Sequence, residues 1–232
     1  MIIGDGLIAQ SFRPHFDIYE DNVILFASGV SNSKLTLESE YLREKLLLQN
    51  ALQQNKLLVY FSTCSIFDPT LQDSRYILHK LEMEALISKT GNYLIIRLPN
   101  VVGKIGNPNT MFNFFINQII AGKNIQVAKN ATRYIIDADD VAFWTMELIK
   151  NNFHNHIINV AFPNKLHVIS IINIIEDFLN MKANVSMVEG GNEYEVDLSI
   201  FTDFIYKKMP HFSLNPHYVK SIIEKYYSTI LI

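Results

Sequence analysis

Three short apolar runs constrain the fold of this chain most strongly. They lie at residues 23–28 (V-I-L-F-A-S), 57–61 (L-L-V-Y-F) and 93–98 (Y-L-I-I-R-L). Short apolar runs bounded by polar residues are typical of strands buried on both faces of a parallel sheet. The intervening segments 35–55 and 74–89 have the amphipathic pattern of helices. The sequence therefore predicts an α/β fold with a parallel central sheet.

The helix predicted at residues 35–55 is long, and its leucines at Leu42, Leu46 and Leu52 are expected to pack in the core. Later segments continue the alternation. Helices are predicted over residues 111–121, from Val141, over 171–179, over 199–208 and over 216–228. Strands are predicted at residues 157–161 and 184–188.

Composition excludes several classes of protein. The 232 residues carry a net charge of −3, which offers no basic face for nucleic acid. The only cysteine, Cys64, rules out a disulfide framework and fits a reducing cytosol. The first residues lack a charged signal-peptide region, and no apolar stretch is long enough to span a bilayer. The histidines show no metal-ligand spacing. We therefore expect a cytoplasmic protein without a metal site or membrane insertion.

The first twelve residues contain a glycine motif. Gly4, Gly6 and Ala9 have the G-x-G-x-x-A spacing between a very short strand and a helix. At such a turn the first glycine permits the tight bend, the second lets the backbone approach a pyrophosphate, and the small third residue lets the helix pack on the strand. This pattern favours dinucleotide binding at the start of the chain.

A second motif follows the central apolar run. That run ends in the hydroxyls of Ser62, Thr63 and Ser65, and the next helix carries Tyr76 and Lys80. Residues four apart lie on one helix face, so the ammonium is predicted to lower the pKa of the phenol towards neutrality. With Thr63 in the same pocket, the three side chains would form an acid/base assembly acting on a hydroxyl or carbonyl oxygen.

These segments, in this order, resemble the extended short-chain dehydrogenase/reductase superfamily, in particular its nucleotide-sugar epimerases, dehydratases and reductases. The resemblance covers residues 1–180. It includes S-T-C-S-I-F-D at 62–68, the Y-x-x-x-K pair, R-L-P-N-V-V-G at 97–103 and R-Y-I-I-D-A-D-D-V-A at 133–142. The resemblance implies a Rossmann-type doubly wound parallel sheet with a small C-terminal α+β substrate-binding part. The predicted boundary separates residues 1–163, with part of the substrate site at 100–135, from 164–232.

The resemblance also implies roles for individual residues. The catalytic set is Thr63, Tyr76 and Lys80. The residues implied in binding NAD or NADP are Gly4, Gly6, Leu7, Ile8, Ala27, Ser28, Gly29, Ser62, Tyr76, Lys80 and Pro99. Those implied in binding a nucleotide-diphosphate sugar are Thr63, Cys64, Ser65, Asn100 and Arg133, with Arg133 near the diphosphate.

Two departures from the family pattern carry information. The stretch between the glycine motif and residue 23 is too short for the usual additional strand-helix-strand passage, so the sheet should be narrower on the adenine side. No residue clearly selects NAD or NADP, although Arg13, Asp17 and Glu20 are candidates. In related dehydratases an acid and a base follow the threonine. Cys64 and Ser65 stand there instead, which disfavours dehydration.

We therefore expect an NAD(P)-dependent reductase acting on the C4 keto group of a nucleotide-activated sugar. A C4 epimerase with tightly bound NAD uses the same residues and stays open. A non-catalytic dinucleotide-binding protein on the same fold is the alternative of another class. The helices at 35–55 and 74–89 could form a homodimer interface, as is common in the family.

Overall fold

The computed structural model of the protein describes residues 1–16, 22–33, 35–104 and 110–231. The chain divides into two compact units. The first comprises Met1–Leu98 and Ala138–Val160, and the second comprises Pro99–Asp137 and Ala161–Ile232. Residues 99–137, which the sequence places before a boundary at 163, thus group with the C-terminal part. Long-range strand pairing explains this grouping, because residues 124–128 pair with residues 184–188.

A five-stranded parallel sheet forms the centre of the first unit. Its strands are β1 (Ile2–Ile3), β2 (Val23–Phe26), β3 (Leu57–Thr63), β4 (Tyr93–Leu98) and β9 (His156–Asn159). They lie side by side in that order, and every neighbouring pair is parallel. The three apolar runs are its central strands, as predicted. Because the strands are parallel, the carboxyl ends of β2, β3 and β4 lie along one edge of the sheet.

Helices cover both faces of this sheet. They are α1 (Leu7–Phe12), α2 (Glu38–Leu52), α3 (Arg75–Ile87) and α5 (Ala138–Lys150). On one face, α2 and α3 pack against Phe26 and Tyr60. On the other, α1 contacts α5, and the Phe12 ring lies 5.4 Å from that of Phe61. The predicted Rossmann-type α/β architecture is confirmed.

The sheet is narrower than a complete dinucleotide-binding sheet, as predicted. Within the described residues no strand lies beyond β1, so the strand order never reverses next to it. The connections from β1 to β2 and from β2 to β3 step across the sheet in the same direction. Their helices α1 and α2 lie on opposite faces, so the two connections have opposite hands, whereas such connections are nearly always right-handed.

Helix α2 buries a different face from the one predicted. Its buried residues are Tyr41, Glu44, Leu48 and Ala51, whereas Leu42 and Leu46 are 56% and 52% exposed. The expectation that the leucine face at Leu42 and Leu46 packs in the core was wrong. A glutamate inside the buried stripe made that stripe look polar in the sequence.

The second unit combines short strands and helices around its own core. Its strands are β5 (Asn100–Val102), β6 (Asn124–Ala128), β7 (Thr132–Arg133), β8 (Ile135–Asp137), β10 (Leu166–His167) and β11 (Asn184–Val188). Its helices are α4 (Met111–Ile120), α6 (Val168–Leu179), α7 (Ser199–Lys208) and α8 (Tyr218–Tyr227). Strands β5 and β8 pair in parallel, as do β6 and β11, whereas β7 and β10 are antiparallel.

A buried aspartate fixes α8 within this unit. Asp137 accepts hydrogen bonds from Tyr226 (2.5 Å) and Lys225 (2.7 Å), and its backbone N–H donates to the Tyr218 hydroxyl (2.9 Å). Three residues of α8 therefore contact the end of β8. In the part of the chain that the structure describes, no helix has the length and apolar character needed to cross a membrane.

Candidate active site

The three residues of the glycine motif after β1 have different surroundings. Gly4 has φ +123°, and a Cβ there would lie 2.4 Å from the carbonyl oxygen of Ala27, so only glycine fits. Ala9 is fully buried where α1 packs on the unit. Gly6, just before α1, is exposed, and a Cβ added there would have no atom within 4 Å. Gly4 and Ala9 are thus explained by packing, whereas Gly6 borders unfilled space beside Leu7 and Ile8.

Residues 27–29 follow β2, and they contact the glycine turn at Ala27 and the buried ammonium of Lys80 at Gly29. Ser28 accepts two hydrogen bonds from Arg43 of α2, at its hydroxyl (2.9 Å) and its carbonyl oxygen (3.2 Å). A Cβ at Gly29 would lie 2.6 Å from Nζ of Lys80. A side chain at position 29 would therefore displace the ammonium of Lys80, which rests against the Gly29 backbone. Ala27, Ser28 and Gly29 are all half-buried.

The hydroxyls and the thiol at the end of β3 have different surroundings. Ser62 is buried and donates to Glu84 (2.5 Å), which also pairs with Arg97 (2.6 Å). Cys64 donates to the carbonyl oxygen of Arg97 (3.4 Å), and burial raises the pKa of its thiol to about 12. The side chains of Ser62 and Cys64 are thus hydrogen-bonded inside the protein. Only their backbone groups are available for the predicted contacts with the cofactor at Ser62 and with the substrate at Cys64.

Thr63 is the hydroxyl that meets the tyrosine. Its Oγ1 accepts from the backbone N–H of Ser65 (3.0 Å), and its side chain is close enough to the Tyr76 hydroxyl to act on the pKa of that phenol. Ser74 caps α3 by accepting from the N–H of Ile77 (3.3 Å). This cap starts the helix so that Tyr76 lies in its first turn and Lys80 lies one turn further on. The structure thus brings together Thr63 and Tyr76, as the sequence predicts.

Tyr76 is a protonated phenol rather than a phenolate. The side chain is buried, and burial raises its pKa to about 12, although the hydrogen bond with Thr63 acts in the opposite direction. The predicted lowering of the Tyr76 pKa by Lys80 was therefore wrong. Nζ of Lys80 lies 6.0 Å from the centroid of the Tyr76 ring, and its charge is matched elsewhere.

The ammonium of Lys80 uses its hydrogens within the protein. Nζ lies 3.1 Å from Oε1 of Glu44, 3.1 Å from the Tyr60 hydroxyl and 3.5 Å from the carbonyl oxygen of Phe61. An ammonium has three donors, so each has an acceptor here. Burial lowers the pKa of Lys80, and the Glu44 carboxylate opposes that change.

Glu44 is the buried partner of Lys80 that sequence reasoning missed. Its carboxylate is fully buried and accepts from the N–H of Val30 (2.6 Å) and the hydroxyl of Tyr60 (2.6 Å), and Nε2 of His79 lies 3.1 Å away. Burial alone would raise its pKa, but Lys80 and these hydrogen-bonding partners lower it to about 2. One signal was available, namely a glutamate in register with Tyr41, Leu48 and Ala51 on a single helix face.

The residues predicted to contact substrate from residue 99 onwards lie in the second unit. The backbone N–H and the side-chain amide of Asn100 both donate to the carbonyl oxygen of Tyr134, each at 3.2 Å. Arg133, the neighbour of Tyr134, is half-buried and donates to the carbonyl oxygen of Thr132 (2.7 Å). The structure therefore brings Asn100 close to the Arg133 segment, whereas Pro99 is half-buried just before β5.

Of the three candidates for selecting the cofactor, Asp17 and Glu20 lie outside the described residues. Arg13 is exposed in a short 3₁₀ helix after α1. Among the described residues, no three histidine, cysteine, aspartate or glutamate side chains are grouped so as to hold a metal ion.

Sequence comparison identifies one family. The profile of the NAD dependent epimerase/dehydratase family matches residues 21–161. This range includes Glu44, Thr63, Tyr76 and Lys80, and it begins after the turn that contains Gly6. No curated protein sequence gives a match.

Solved structures of similar fold agree with this match. UDP-glucuronic acid 4-epimerase from Bacillus cereus, in complex with UDP-glucuronic acid and NAD, has a TM-score of 0.73 and 16% identity over 98% of this chain and 78% of that one. dTDP-glucose 4,6-dehydratase from Bacillus anthracis, in complex with NAD, has a TM-score of 0.71 and 12% identity over 98% of this chain and 79% of that one. RMD from Pseudomonas aeruginosa, complexed with NADPH, has a TM-score of 0.66 and 13% identity over 91% of this chain and 82% of that one. At these identities the likeness concerns the fold.

The buried ion pair gives a prediction about stability in acid. The pKa of Glu44 lies at about 2 in the folded chain against 4.5 ordinarily, so the unfolded chain takes up this proton first as pH falls. The pair's contribution should be complete above pH 5 and lost progressively towards pH 2, by roughly 3 kcal/mol from this group. Urea unfolding across this range should show the wild-type free energy of unfolding falling more steeply than that of Glu44→Gln.

Glu38→Gln is the matched control for this measurement. Glu38 also lies on α2 and pairs with Arg75 (2.8 Å), but that pair is exposed to solvent and contributes little. The control should keep the wild-type acid dependence. Equal dependence in wild type and Glu44→Gln would contradict the buried pair.

Proposed function

Since the chain belongs to the NAD dependent epimerase/dehydratase family, we propose that it is an NAD(P)-dependent oxidoreductase of the extended short-chain dehydrogenase/reductase type. In this proposal it reduces the C4 keto group of a nucleotide-activated sugar. The observation that carries the proposal is the buried Tyr76 phenol, which lies beside the Thr63 hydroxyl at the carboxyl edge of the sheet.

Tyr76 has the protonation state that reduction requires. A phenol whose pKa is raised to about 12 carries its proton at neutral pH and can donate it to a carbonyl oxygen as negative charge develops there. Thr63 orients the same phenol and can hydrogen-bond the same substrate oxygen. When bound, NAD(P)H supplies the hydride for the carbonyl carbon. The chain's own part is thus to place the carbonyl oxygen within reach of Thr63 and Tyr76.

The residues near the carboxyl edge fit a dinucleotide. Gly6 borders open space at the start of α1, where backbone N–H groups are available to a pyrophosphate, and Ala27 to Gly29 present backbone at the end of β2. For Lys80 to contact the cofactor, as the family resemblance implies, its ammonium must give up one of its three hydrogen-bond acceptors in the protein. The carbonyl oxygen of Phe61, at 3.5 Å, is the weakest of the three. NAD and NADPH, found in similar structures, are both candidate cofactors.

The state of Tyr76 favours reduction over C4 epimerisation. An epimerase needs the same tyrosine first to remove a proton from the sugar hydroxyl, and a phenol with a raised pKa is a poor base at neutral pH. Dehydration is disfavoured at Cys64, because its thiol is fully buried and donates to the carbonyl oxygen of Arg97, so it does not face a substrate. The epimerase with tightly bound NAD is the second candidate, supported by the epimerases among the similar folds.

We propose a nucleotide-diphosphate sugar as the substrate. The guanidinium of Arg133 suits the diphosphate because its planar fork matches phosphate oxygens, and Asn100 offers an amide to the sugar. One of the similar structures contains UDP-glucuronic acid, a ligand of this class.

Replacing the proton donor gives the first test of this function. Tyr76→Phe keeps the ring in its buried site but removes the proton, so turnover should fall by about 10²-fold or more. Cofactor binding and thermal stability should stay close to wild type, as measured by cofactor fluorescence and a thermal melt. Tyr93→Phe, a half-buried tyrosine at the start of β4, is the matched control and should keep full activity. Undiminished turnover in Tyr76→Phe would exclude the proposed catalytic role.

We also propose that α2 and α3 form a homodimer interface. Their outer face exposes Leu42, Leu46, Leu78 and Leu81, each at least 40% accessible, and a salt bridge between Lys45 and Glu82 (2.6 Å) lies across the same two helices. Several exposed leucines on two neighbouring helices are typical of a surface that contacts another chain. A second copy is the occupant we infer, in line with the family's common interface.

Light scattering tests the dimer. Wild type should have twice the chain mass, and the double variant Leu46→Lys/Leu78→Lys should be monomeric because four lysines would face each other across the contact. Phe143→Lys, which changes an exposed aromatic residue of α5 on the opposite face of the sheet, should remain dimeric. A monomeric wild type, or a dimer that survives the double substitution, would refute this interface.

A further inference from the structure

The guanidinium of Arg43 on α2 is bonded differently from those of two other arginines in the first unit. Its Nε donates to Glu40 (2.9 Å), whereas Nη1 donates to the Ser28 hydroxyl (2.9 Å) and Nη2 to the Ser28 carbonyl oxygen (3.2 Å). Arg75 and Arg97 each place two nitrogens on a single carboxylate. Arg43 therefore directs both of its Nη atoms to a neutral residue just after β2.

Arg43 and Ser28 keep hydrogen-bond donors for a further ligand. A guanidinium has five N–H groups, and the hydrogen bonds that Arg43 makes within the described residues use one on each of its three nitrogens, so each Nη keeps one. The Ser28 hydroxyl accepts from Arg43, so its own hydrogen can be donated elsewhere. The Arg43 side chain is 40% exposed. A planar cation with free N–H groups beside a hydroxyl suits a phosphate group.

These donors lie beside the glycine turn. A Cβ added at Gly4 would lie 2.4 Å from the carbonyl oxygen of Ala27 and 3.0 Å from the backbone nitrogen of Ser28, so the turn contacts the segment that Arg43 holds. The same turn borders unfilled space at Gly6. A dinucleotide that meets the turn with its diphosphate would therefore lie close to Ser28 and to the guanidinium bonded to it.

We propose that Arg43, together with the Ser28 hydroxyl, binds the diphosphate of the dinucleotide cofactor. This inference rests on the proposed function, because it concerns the cofactor that the reduction requires. Arg43 supplies a positive charge and N–H donors to the diphosphate, and it is a binding residue rather than a catalytic one.

The charges around Arg43 leave it available to an anion. Its acidic partner among the described residues is Glu40, whose side chain is also 40% exposed. An exposed pair of this kind contributes little, so a phosphate can replace the carboxylate at small cost. The buried acid of the same helix, Glu44, is matched by Lys80 instead. The positive charge of Arg43 is therefore not committed to a buried partner.

The narrow sheet favours the diphosphate over the other phosphate that a cofactor can carry. NADPH has an additional 2′-phosphate on its adenine ribose, and the adenine side is the side on which the described part of the sheet ends at β1. Ser28 follows β2, further from that end of the sheet. The diphosphate is common to NADH and NADPH, so Arg43 should contribute equally to the binding of both.

Cofactor binding to the purified chain tests this assignment without substrate or turnover. Arg43→Gln can still donate a hydrogen bond to Ser28 but carries no charge. Its Kd for NADH and for NADPH should rise by about tenfold or more, and by the same factor for both, because a charge-assisted hydrogen bond to the diphosphate is lost. Titration followed by cofactor fluorescence measures both constants. An unchanged Kd in a folded Arg43→Gln would overturn the proposal.

Three further variants keep the test decisive, with a thermal melt to verify folding. Arg75→Gln is the matched control, because the Arg75 side chain is also 40% exposed but pairs with Glu38, and it should bind as wild type does. Arg43→Lys keeps the charge and should bind more tightly than Arg43→Gln. Equal losses in these two variants would mean that Arg43 only holds the segment after β2. Ser28→Ala removes the hydroxyl donor and should raise both Kd values by a smaller factor, which provides the measurement if Arg43→Gln does not fold.

The choice of ligands decides which phosphate group Arg43 binds. A loss of affinity confined to NADPH would assign Arg43 to the 2′-phosphate. UDP has a diphosphate but no nicotinamide, so a loss confined to UDP would assign Arg43 to the substrate. Either result would overturn the proposal, whereas equal losses for NADH and NADPH with unchanged binding of UDP would support it.

The same titrations separate this inference from the proposed function. If wild type binds the dinucleotides but reduces no keto-sugar, the proposed function fails while the Kd values still decide the role of Arg43. If wild type reduces a keto-sugar and Arg43→Gln binds the cofactor as tightly, only the inference about Arg43 fails. A wild type that binds neither NADH nor NADPH would overturn both.

Discussion

The ion pair between Glu44 and Lys80 is the interaction on which the arrangement of the first unit depends. It joins α2 to α3 on one face of the sheet and, through Tyr60 and Val30, joins both helices to β3 and to the chain after β2. It also explains why residue 29 is glycine, since a side chain there would collide with Nζ of Lys80. Two charges buried from water interact strongly, so both helices are fixed in register with the carboxyl edge of the sheet.

The chemistry of the site follows from the same pair. A Tyr-Lys pair four residues apart suggests a cation that ionises a phenol, but here the cation is already matched by a carboxylate and the phenol keeps its proton. The short first half of the chain narrows the sheet but does not disturb this site. Within the described residues the sheet has no strand beyond β1, yet Gly4 fits against Ala27 and the side chains of Thr63 and Tyr76 lie together.

Local patterns were sufficient to predict the strands and helices of the first unit. The run at 93–98 coincides with β4. Thr63, the hydroxyl assigned to the site from the sequence, lies beside Tyr76, and its catalytic role stays a prediction. The wrong core face predicted for α2 has a physical cause. Burial of Glu44 depends on Lys80, which is 36 residues away in the chain, so the periodicity of α2 alone assigned its core face to the wrong leucines. The grouping of residues 99–137 with the C-terminal part likewise depends on pairings between distant strands, such as β6 with β11.

Hydride transfer to a keto-sugar tests the central claim most directly. Purified wild-type protein would be mixed with deuterated NADH or NADPH and with UDP-, dTDP-, GDP- and CDP-linked 4-keto sugars, and the products analysed by mass. Reduction predicts that one deuterium enters the sugar for each cofactor oxidised, with the cofactor leaving the protein afterwards. Inversion of a sugar hydroxyl by protein that already contains tightly bound NAD, with no net oxidation of added cofactor, would contradict the account and establish the epimerase.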